Sequence, residues 1–365
     1  MATLGALIPG MLVERGIDTV FGIPGVHTVE MYRGLPGSGL RHVTPRHEQG
    51  AGFMADGYWR ATGRVAACFI ITGPGMTNIA TAMGQAYGDS VPMIVISAVN
   101  AEGEIGRGLG CLHELKDQSG LVAGVAAWSR RVRDAAGLAA ALDDALDLFA
   151  TGRPRPVHVE IPIDRLAAPA EAPPEPRARA AVEKPDPELA AKAASILNAA
   201  ARPVLILGGG AVRLGPTAAR LAEALGAPTL MTSNARGLLP PDHPLNAGGG
   251  LFAPPQRALL AESDAALALG CEFGPTDWSY YDEGDPSFGG DLIRVDVDPA
   301  QLSRGASPTL AVEADAAAFA AALLPLIDRA PAAAADLAAC SAAPAATAEP
   351  RIGRHIPLLD AIWEA

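Results

Sequence analysis

The sequence has 365 residues, a formal net charge of −12, 49% hydrophobic residues and 19% charged residues. The excess of acidic residues argues against a polyanionic partner such as nucleic acid, and no apolar run approaches the ~20 residues that cross a membrane. The cysteines lie far apart without a metal-binding or redox spacing, which is typical of reduced thiols in a cytoplasmic protein. They are Cys68, Cys111, Cys271 and Cys340.

The first 166 residues alternate between helical and strand patterns. Alternation of this kind predicts a largely parallel sheet with helices on both faces. The first buried strand covers residues 19–21 and leaves through a turn that contains Pro24 and Gly25. Since open α/β folds bind ligands at the carboxyl ends of their strands, this turn is a candidate for a site.

Residues 44–64 predict a capped helix that carries a single acid. Thr44 is the expected N-cap and Pro45 the expected first helical residue. Glu48 then falls in the first turn, where the helix dipole and the free amides favour a carboxylate. Small residues follow at helical spacing on the same side: Ala51, Gly52 and Ala55. Such a stripe lets another helix or a flat group approach closely; the alternative is an ordinary packing face beneath a solvated glutamate.

A second strand-to-turn exit follows this helix. Residues 68–72 form a short apolar strand, and the turn Gly-Pro-Gly-Met-Thr-Asn at residues 73–78 leads into a helical pattern. The turn places backbone amides at the carboxyl edge of the same sheet, where an open α/β fold binds its ligand.

The middle of the chain changes character at residues 167–187, which are rich in proline and alanine. This composition predicts a linker between two domains. The α/β pattern that follows begins with a strand that runs into three glycines at residues 208–210. Arg213 stands where a GxGxxG nucleotide-binding turn needs its last glycine. Tight packing of the strand exit is therefore favoured over nucleotide binding.

Four motifs in this order resemble the thiamine-diphosphate-dependent 2-oxo acid enzymes, which include acetolactate synthase and the pyruvate-type decarboxylases. They are FGIPG at 21–25, RHEQGAGFMADGY at 46–58, TGPGMTN at 72–78 and VPMIVISA at 91–98. The resemblance continues to about residue 330.

The resemblance implies two doubly wound, mostly parallel, three-layer α/β domains. Residues 1–166 correspond to the pyrimidine-binding domain, and residues 188–330 to a Rossmann-like middle domain. Residues 331–365 are expected to form an Ala/Pro-rich linker and the start of a helix that leads to a missing third domain. FAD, which acetolactate synthases carry on the middle domain, is not expected, because the segment after Cys271 departs from their pattern.

The resemblance also assigns residues to thiamine diphosphate. Glu48 is implied to be catalytic, because in this family a glutamate hydrogen-bonds N1′ of the cofactor's aminopyrimidine ring. The cofactor-binding residues that the motifs imply are Pro24, Gly25, Glu48, Gly73, Pro74, Gly75 and Asn78.

His113 is the second residue implied to be catalytic. It lies where pyruvate decarboxylases have the first of two adjacent histidines, but Glu114 occupies the second position. Val26 stands where those enzymes carry an aspartate. Val26, His27 and Glu114 are therefore candidates for substrate contacts. The alternative for His113 is a loop histidine that is bonded to a neighbouring backbone group.

One subfamily matches further. FGIPGVHTVEMYRGL at 21–35 and LHELKDQ at 112–118 resemble the 5-guanidino-2-oxopentanoate (2-ketoarginine) decarboxylases. A guanidinium substrate would need carboxylates, and the candidates by position are Glu30, Glu102, Glu114 and Asp117. Carboligation of the acetolactate synthase type is the alternative reaction.

The family's Mg²⁺ and diphosphate motif, Gly-Asp-Gly followed further on by asparagine, has no counterpart in these residues. The nearest match is Gly-Asp-Pro at 284–286, and no asparagine follows Asn246. We therefore expect no metal ligand here, and expect a second polypeptide to bind Mg²⁺ and the diphosphate in an assembly of at least two copies of each chain, a heterotetramer. A truncated chain is the alternative origin, and a regulatory or scaffolding subunit is the non-enzymatic alternative.

Overall fold

The computed structural model describes residues 1–249, 251, 253–278 and 287–329, together with residues 337, 340, 357, 361 and 362. The near match at residues 284–286 lies outside this part, as do most of residues 331–365. Contacts within the chain divide it into two compact units, Met1–Ala181 and Val182–Ala365. The boundary falls inside the segment that the composition predicts to be a linker.

The first unit contains a six-stranded sheet. Its strands are β1 (Thr19–Gly22), β2 (Arg41–Val43), β3 (Ala67–Ile70), β4 (Met93–Val99), β5 (Trp128–Arg131) and β6 (Pro156–Pro162). Their order is β2-β1-β3-β4-β6-β5, and every neighbouring pair is parallel. The strand order reverses between β1 and β3, so the sheet has its topological switch point there.

Helices cover both faces of this sheet: α1 (Leu4–Glu14), α2 (Val29–Arg33), α3 (Glu48–Thr62), α4 (Pro74–Gly88), α5 (Gln118–Val122), α6 (Ala135–Thr151) and α7 (Ile163–Leu166). Successive strand residues face opposite sides. Phe69 therefore joins the core with α1 and α6, whereas Cys68 and Ile70 join the core with α3 and α4. The predicted three-layer α/β fold is confirmed.

Helix α3 begins at Glu48, so the prediction that Thr44 caps it and Pro45 opens it is wrong. His47 is the N-cap, with an extended backbone, and its ring Nδ1 accepts a hydrogen bond from the Gln49 amide at 3.1 Å. The imidazole supplies the acceptor that the threonine hydroxyl was expected to supply. Glu48 keeps its predicted place in the first turn.

The small-residue stripe of α3 is filled by another helix. A Cβ atom added at Gly52 would lie 2.5 Å from Ala82 Cβ and 3.1 Å from Ile79 Cγ1, both on α4. Ala51 and Ala55 are buried in the same interface. Of the two uses that the sequence suggested for the stripe, close approach of a helix is the one observed.

The second unit repeats the architecture. Its strands are β7 (Pro203–Leu207), β8 (Thr229–Met231), β9 (Asn246–Gly249), β10 (Ala265–Leu269), β11 (Asp291–Asp296) and β12 (Leu310–Glu313). They form a parallel sheet in the order β12-β11-β10-β7-β8-β9. Its helices are α8 (Pro187–Ala199), α9 (Thr217–Leu225), α10 (Pro254–Glu262), α11 (Pro275–Trp278), α12 (Pro299–Leu302) and α13 (Ala316–Leu323).

The glycines after β7 serve a close approach of two backbone turns. A Cβ atom at Gly208 would overlap the Gly270 carbonyl oxygen, and one at Gly210 would lie 2.9 Å from Gly270 Cα. The Gly210 amide donates to the same carbonyl at 3.1 Å. Close packing of the two turns thus explains the glycines at 208 and 210.

The predicted linker at residues 167–187 is partly attached to the first unit. Arg177 donates to Asp144 on α6 at 3.0 Å and also pairs with Asp147, while Arg179 donates to the Arg15 carbonyl. The composition of residues 167–187 alone suggests a linker without contacts. Its arginines, however, bond carboxylates and a backbone carbonyl of the first unit.

Candidate active site

The predicted site residues meet at the carboxyl edge of the first sheet. β2, β1, β3 and β4 are consecutive neighbours, so the segments that leave them lie side by side. These segments carry His27 after β1, Glu48 after β2, Gly73 after β3 and His113 after β4. The site therefore lies beside the switch point between β1 and β3, where doubly wound sheets bind ligands.

Glu48 has one oxygen held and one available. Asn78 on α4 donates from Nδ2 to Glu48 Oε2 at 2.9 Å. Among the described residues this is the only hydrogen bond to the Glu48 carboxylate, so Oε1 can accept a further donor. The side chain is half-buried at the first position of α3. An acid in this position can share a proton with a ligand that lies above it.

The glycine turn at Gly75 borders the open oxygen. A Cβ atom at Gly75 would lie 3.6 Å from Glu48 Oε1 and 2.6 Å from Ile71 Cγ2, and one at Gly25 would lie 2.7 Å from Ile71 Cδ1. Ile71 thus packs against both turns, and Gly75 is buried whereas Gly25 is partly exposed. The open oxygen of Glu48 can bond a ligand that carries a hydrogen-bonding nitrogen.

Gly73 sets the direction in which α4 leaves the sheet. Its backbone has φ 66° and ψ −106°, which side chains rarely adopt, and a Cβ atom there would overlap the His113 carbonyl oxygen. Pro74 follows at the first helical position. Gly73 in the TGPG motif is thus required for two reasons: its backbone conformation favours glycine, and the turn packs closely against the loop that carries His113.

His113 lies beside His27, which comes from a different loop. The ring centroids are 5.8 Å apart with an interplanar angle of 85°. His27 Nδ1 is buried without a hydrogen-bond partner among the described residues. Burial and, second, the charge of His113 lower the pKa of His27. Within the same residues the His113 ring makes no hydrogen bond to backbone, so the alternative of a backbone-bonded loop histidine finds no support.

Glu114 is occupied by its own loop. Its carboxylate accepts hydrogen bonds from the amides of Gly108 (2.6 Å), Leu109 (3.3 Å), Gly110 (2.8 Å) and Cys111 (3.1 Å). Desolvation alone would raise the pKa of Glu114, but these four donors outweigh it and hold the pKa below its usual value. The carboxylate organises the loop that presents His113.

This arrangement predicts a pH-dependent loop. Because the pKa of Glu114 is lowered in the folded chain, these hydrogen bonds stabilise the loop fully above the ordinary pKa of 4.5. Their contribution is lost as the pH falls through the lower pKa of the folded state. The amide shifts of Gly108 and Gly110, followed by NMR, should therefore change with a midpoint below 4.5. Glu114→Gln should abolish the transition. A midpoint at or above 4.5 in the unmodified chain would contradict the assignment.

The other carboxylates suggested for a guanidinium ligand also have partners. Thr3 donates to Glu30 at 2.9 Å, and the Gly120 amide donates to Asp117 at 2.9 Å. Arg133 donates to both oxygens of Glu102. Val26, the apolar residue suggested for substrate contacts, is 72% exposed. Since a carboxylate can accept several donors, a guanidinium ligand would have to share or replace the partners of these acids.

Sequence reasoning gave no role to Gln118, the first residue of α5. It is 2% exposed, and its Oε1 accepts the Gly73 amide hydrogen at 2.9 Å. A glutamine just after the helix-capping Asp117 carries no signal that distinguishes it from a surface residue. Its partner lies 45 positions earlier in the chain, so only the fold brings the two together.

Among the described residues, no group of three or more His, Cys, Asp or Glu side chains is arranged to hold a metal ion. In the same part of the chain, no helix has the length and apolar character to cross a membrane.

Comparison with known proteins identifies the family. A family model described as thiamine pyrophosphate enzyme, N-terminal TPP binding domain, matches residues 2–121. A model described as thiamine pyrophosphate enzyme, central domain, matches residues 190–323. The chain belongs to the thiamine pyrophosphate enzymes. The resemblance drawn from the motifs is confirmed, and every site residue described above lies within the N-terminal match.

Individual relatives agree with this family. The chain is 48% identical over 320 residues to the probable 2-ketoarginine decarboxylase AruI of Pseudomonas aeruginosa, covering 86% of this chain and 56% of the relative. It is 36% identical over 325 residues to the acetolactate synthase isozyme 1 large subunit of Escherichia coli, covering 88% and 57%. An X-ray structure of a candidate thiamin diphosphate-dependent enzyme from Mycobacterium smegmatis aligns with a TM-score of 0.80 at 26% identity, covering 90% and 64%. The chain spans little more than half the length of the two curated relatives.

The residues around Glu48 can be compared with the aminopyrimidine ring of the family's cofactor. That ring carries a hydrogen-bonding nitrogen, and Glu48 Oε1 is free to bond such a nitrogen while Asn78 holds Oε2. The chemistry of these residues suits the pyrimidine end of the cofactor.

Proposed function

We propose that this chain is the cofactor-activating part of a thiamine-diphosphate-dependent 2-oxo acid decarboxylase. The observation that carries the proposal is the geometry of Glu48, whose Oε2 is held by Asn78 and whose Oε1, beside the Gly75 turn, makes no hydrogen bond among the described residues. A carboxylate fixed on one side and open on the other is suited to hold a proton at a ligand nitrogen.

Glu48 acts by sharing a proton from Oε1 with a nitrogen of the aminopyrimidine ring. Bound thiamine diphosphate supplies a carbon nucleophile for the substrate carbonyl and accepts the electrons released as CO₂ leaves. A positioned acid–base group of this kind contributes about two to four decades in rate. Asn78 keeps the carboxylate from rotating away, so the proton stays at the oxygen that faces the ring.

His113 and His27 are proposed to serve the substrate side of the same site. The sequence offers no second histidine next to His113, but the fold places His27 against it. His27 has a lowered pKa, chiefly because it is buried, and is therefore neutral near pH 7, so one ring nitrogen can accept a proton while the other donates a hydrogen bond. The pair can hold a proton beside the substrate carbonyl and its product.

A 2-ketoarginine-like substrate is proposed on the basis of the 48% identity to AruI, whose name specifies that activity. Its guanidinium needs a carboxylate, and Glu102 already binds a guanidinium, that of Arg133, with both oxygens. Exchange of one guanidinium for another would conserve that bidentate geometry. Acetolactate synthase-type carboligation is the second candidate, because the chain is 36% identical to such a large subunit.

The test is product analysis with the complete native assembly. We expect CO₂ release from 2-ketoarginine with a kcat/KM at least 100-fold above that for pyruvate, a difference of about 2.7 kcal/mol in transition-state binding. Acetolactate as the main product from pyruvate, with no turnover of 2-ketoarginine, would overturn decarboxylation in favour of carboligation.

Mg²⁺ and the diphosphate are proposed to be bound by a domain of roughly 150–200 residues on a second polypeptide. In support, the sequence holds no Gly-Asp-Gly motif followed by asparagine. Large apolar side chains are also exposed near the site, namely Val26 (72%), Leu109 (55%) and Leu112 (57%), and exposed apolar groups of this kind mark interaction surfaces when they are contiguous. The proposed assembly contains at least two copies of each chain.

A further inference from the structure

Gln118 connects three parts of the first unit through one buried carboxamide. Its Oε1 accepts from the Gly73 amide at 2.9 Å. Its Nε2 carries two hydrogens, which are shared among three acceptors: the Ala98 carbonyl at 2.9 Å, Ser97 Oγ at 3.1 Å and Glu160 Oε2 at 3.3 Å. The turn before α4, the end of β4 and strand β6 are thereby joined at a single side chain.

The orientation of this carboxamide is fixed by groups that cannot exchange roles. Gly73 offers a backbone N–H, which requires an acceptor, whereas Ala98 offers a carbonyl, which requires a donor. Glu160 is an acceptor held in place by Arg131, which donates to its other oxygen at 2.7 Å. A rotated amide would face an N–H with its own NH₂ group and a carboxylate with its oxygen, so only one orientation satisfies all partners.

The network behind Gln118 is buried and also satisfied. His158 is fully buried and bonds Ser97 Oγ at 2.8 Å through Nε2 and Ser129 Oγ at 2.7 Å through Nδ1. Burial lowers the pKa of His158 to about 3, so the ring is neutral and one nitrogen accepts while the other donates. A satisfied buried network of this kind rigidifies its surroundings.

The bond from Gln118 reaches the site through Gly73. Gly73 is the N-cap of α4, and Asn78, five residues further along the chain, holds Glu48. The opposite side of Gly73 lies against the His113 carbonyl oxygen, with no room for a Cβ atom. Displacing the Gly73 turn would therefore move the support of Glu48 and the backbone of His113 together.

We propose that Gln118 is a positioning residue, which fixes the Gly73 turn and through it the Asn78–Glu48 pair and the His113 loop. This inference rests on the proposed function only where it links Gln118 to catalysis. The hydrogen bonds that fix the Gly73 turn lie within the described residues and can be measured without cofactor or substrate.

Gln118→Asn is the informative variant, because it keeps a carboxamide but is one methylene too short to reach both Gly73 and Glu160. Leu142→Ala, in the α1–α6 core on the other face of the sheet, provides a folded control with a general loss of stability. Gln85→Met removes a glutamine bond to Asp89 on the surface of α4 and controls for the loss of a carboxamide.

NMR of the 365-residue chain provides the readout. In Gln118→Asn we expect the Gly73 amide to exchange at least 10-fold faster than in Leu142→Ala, and the Asn78 side-chain NH₂ signals to move toward solvent-exposed values. Gln118→Met, which keeps the length of the side chain but removes its acceptor and its donors, should also give faster Gly73 exchange, so the inference stays testable if Gln118→Asn does not fold. Unchanged Gly73 and Asn78 signals in Gln118→Asn, equal changes in Leu142→Ala, or full Gly73 protection in Gln118→Met would overturn the proposal. Failure of catalysis in the assembly with these signals intact would instead count against the proposed function.

Discussion

Replacing Glu48 by Gln in the complete assembly should slow exchange of the cofactor's thiazolium C2 proton by about two to four decades. Glutamine keeps the shape of the side chain and can still bond Asn78 through its oxygen. Its other atom is an amide NH₂, which cannot share a proton with the ring nitrogen as a carboxyl group does. Exchange followed by NMR measures this step directly, apart from substrate binding and product release.

Glu188→Gln is a matched control for this variant. Glu188 also lies in the first turn of a helix, α8, in the second unit. If Glu48 acts only through the helix dipole, both substitutions should have effects of about 0.3–1 kcal/mol on stability and none on exchange. Near wild-type C2 exchange in Glu48→Gln, with the fold intact, would exclude the catalytic assignment.

Replacing Gly73 by Ala should destabilise the first unit by about 2–4 kcal/mol. The backbone at φ 66° and ψ −106° is a sparsely populated conformation that costs a side chain of order 1–3 kcal/mol. The added Cβ atom also overlaps the His113 carbonyl oxygen, so the turn or the loop has to shift. Chemical denaturation followed through amide signals of the first unit gives the magnitude.

Gly57→Ala is the matched control, for which we expect the opposite effect on stability. Gly57 lies inside α3, and a Cβ atom added there has no neighbour within 4 Å. Since glycine in a helix costs roughly 1 kcal/mol relative to alanine, this substitution should stabilise the unit. Equal and small effects at the two glycines would show that the Gly73 turn is not under the constraint described.

The fold could be predicted because its signals are local and repeated. Short apolar strands that alternate with helical patterns, such as residues 68–72 with the glycine turn and helical pattern after them, are enough to predict a parallel sheet with helices on both faces. The start of α3 was mispredicted because Thr44 and Pro45 match the usual capping preference, whereas His47 provides the cap. Thr44 and His47 are both N-cap candidates within four positions of the helix start, and histidine is a less common N-cap residue than threonine.

The site could be predicted only in part, for a physical reason. Glu48, the glycine turns and Asn78 lie in motifs whose resemblance to the thiamine-diphosphate-dependent enzymes implies roles for them. The pairing of His27 with His113 and the bond from Gln118 to Gly73 join loops that leave different strands. The order of the strands in the sheet brings such partners together, and local sequence patterns do not give that order. Glu114 shows the converse: a charge suggested for the substrate is used by its own loop.

Binding of thiamine diphosphate tests the central claim most directly, because the claim is that this chain holds only the pyrimidine end of the cofactor. Titration calorimetry with Mg²⁺ present should give a Kd no tighter than about 1 mM for the 365-residue chain alone, equivalent to about −4 kcal/mol. The native assembly that contains the second polypeptide should bind with a Kd of about 1 μM or tighter, about −8 kcal/mol. Micromolar, Mg²⁺-dependent binding by the isolated chain would contradict the account.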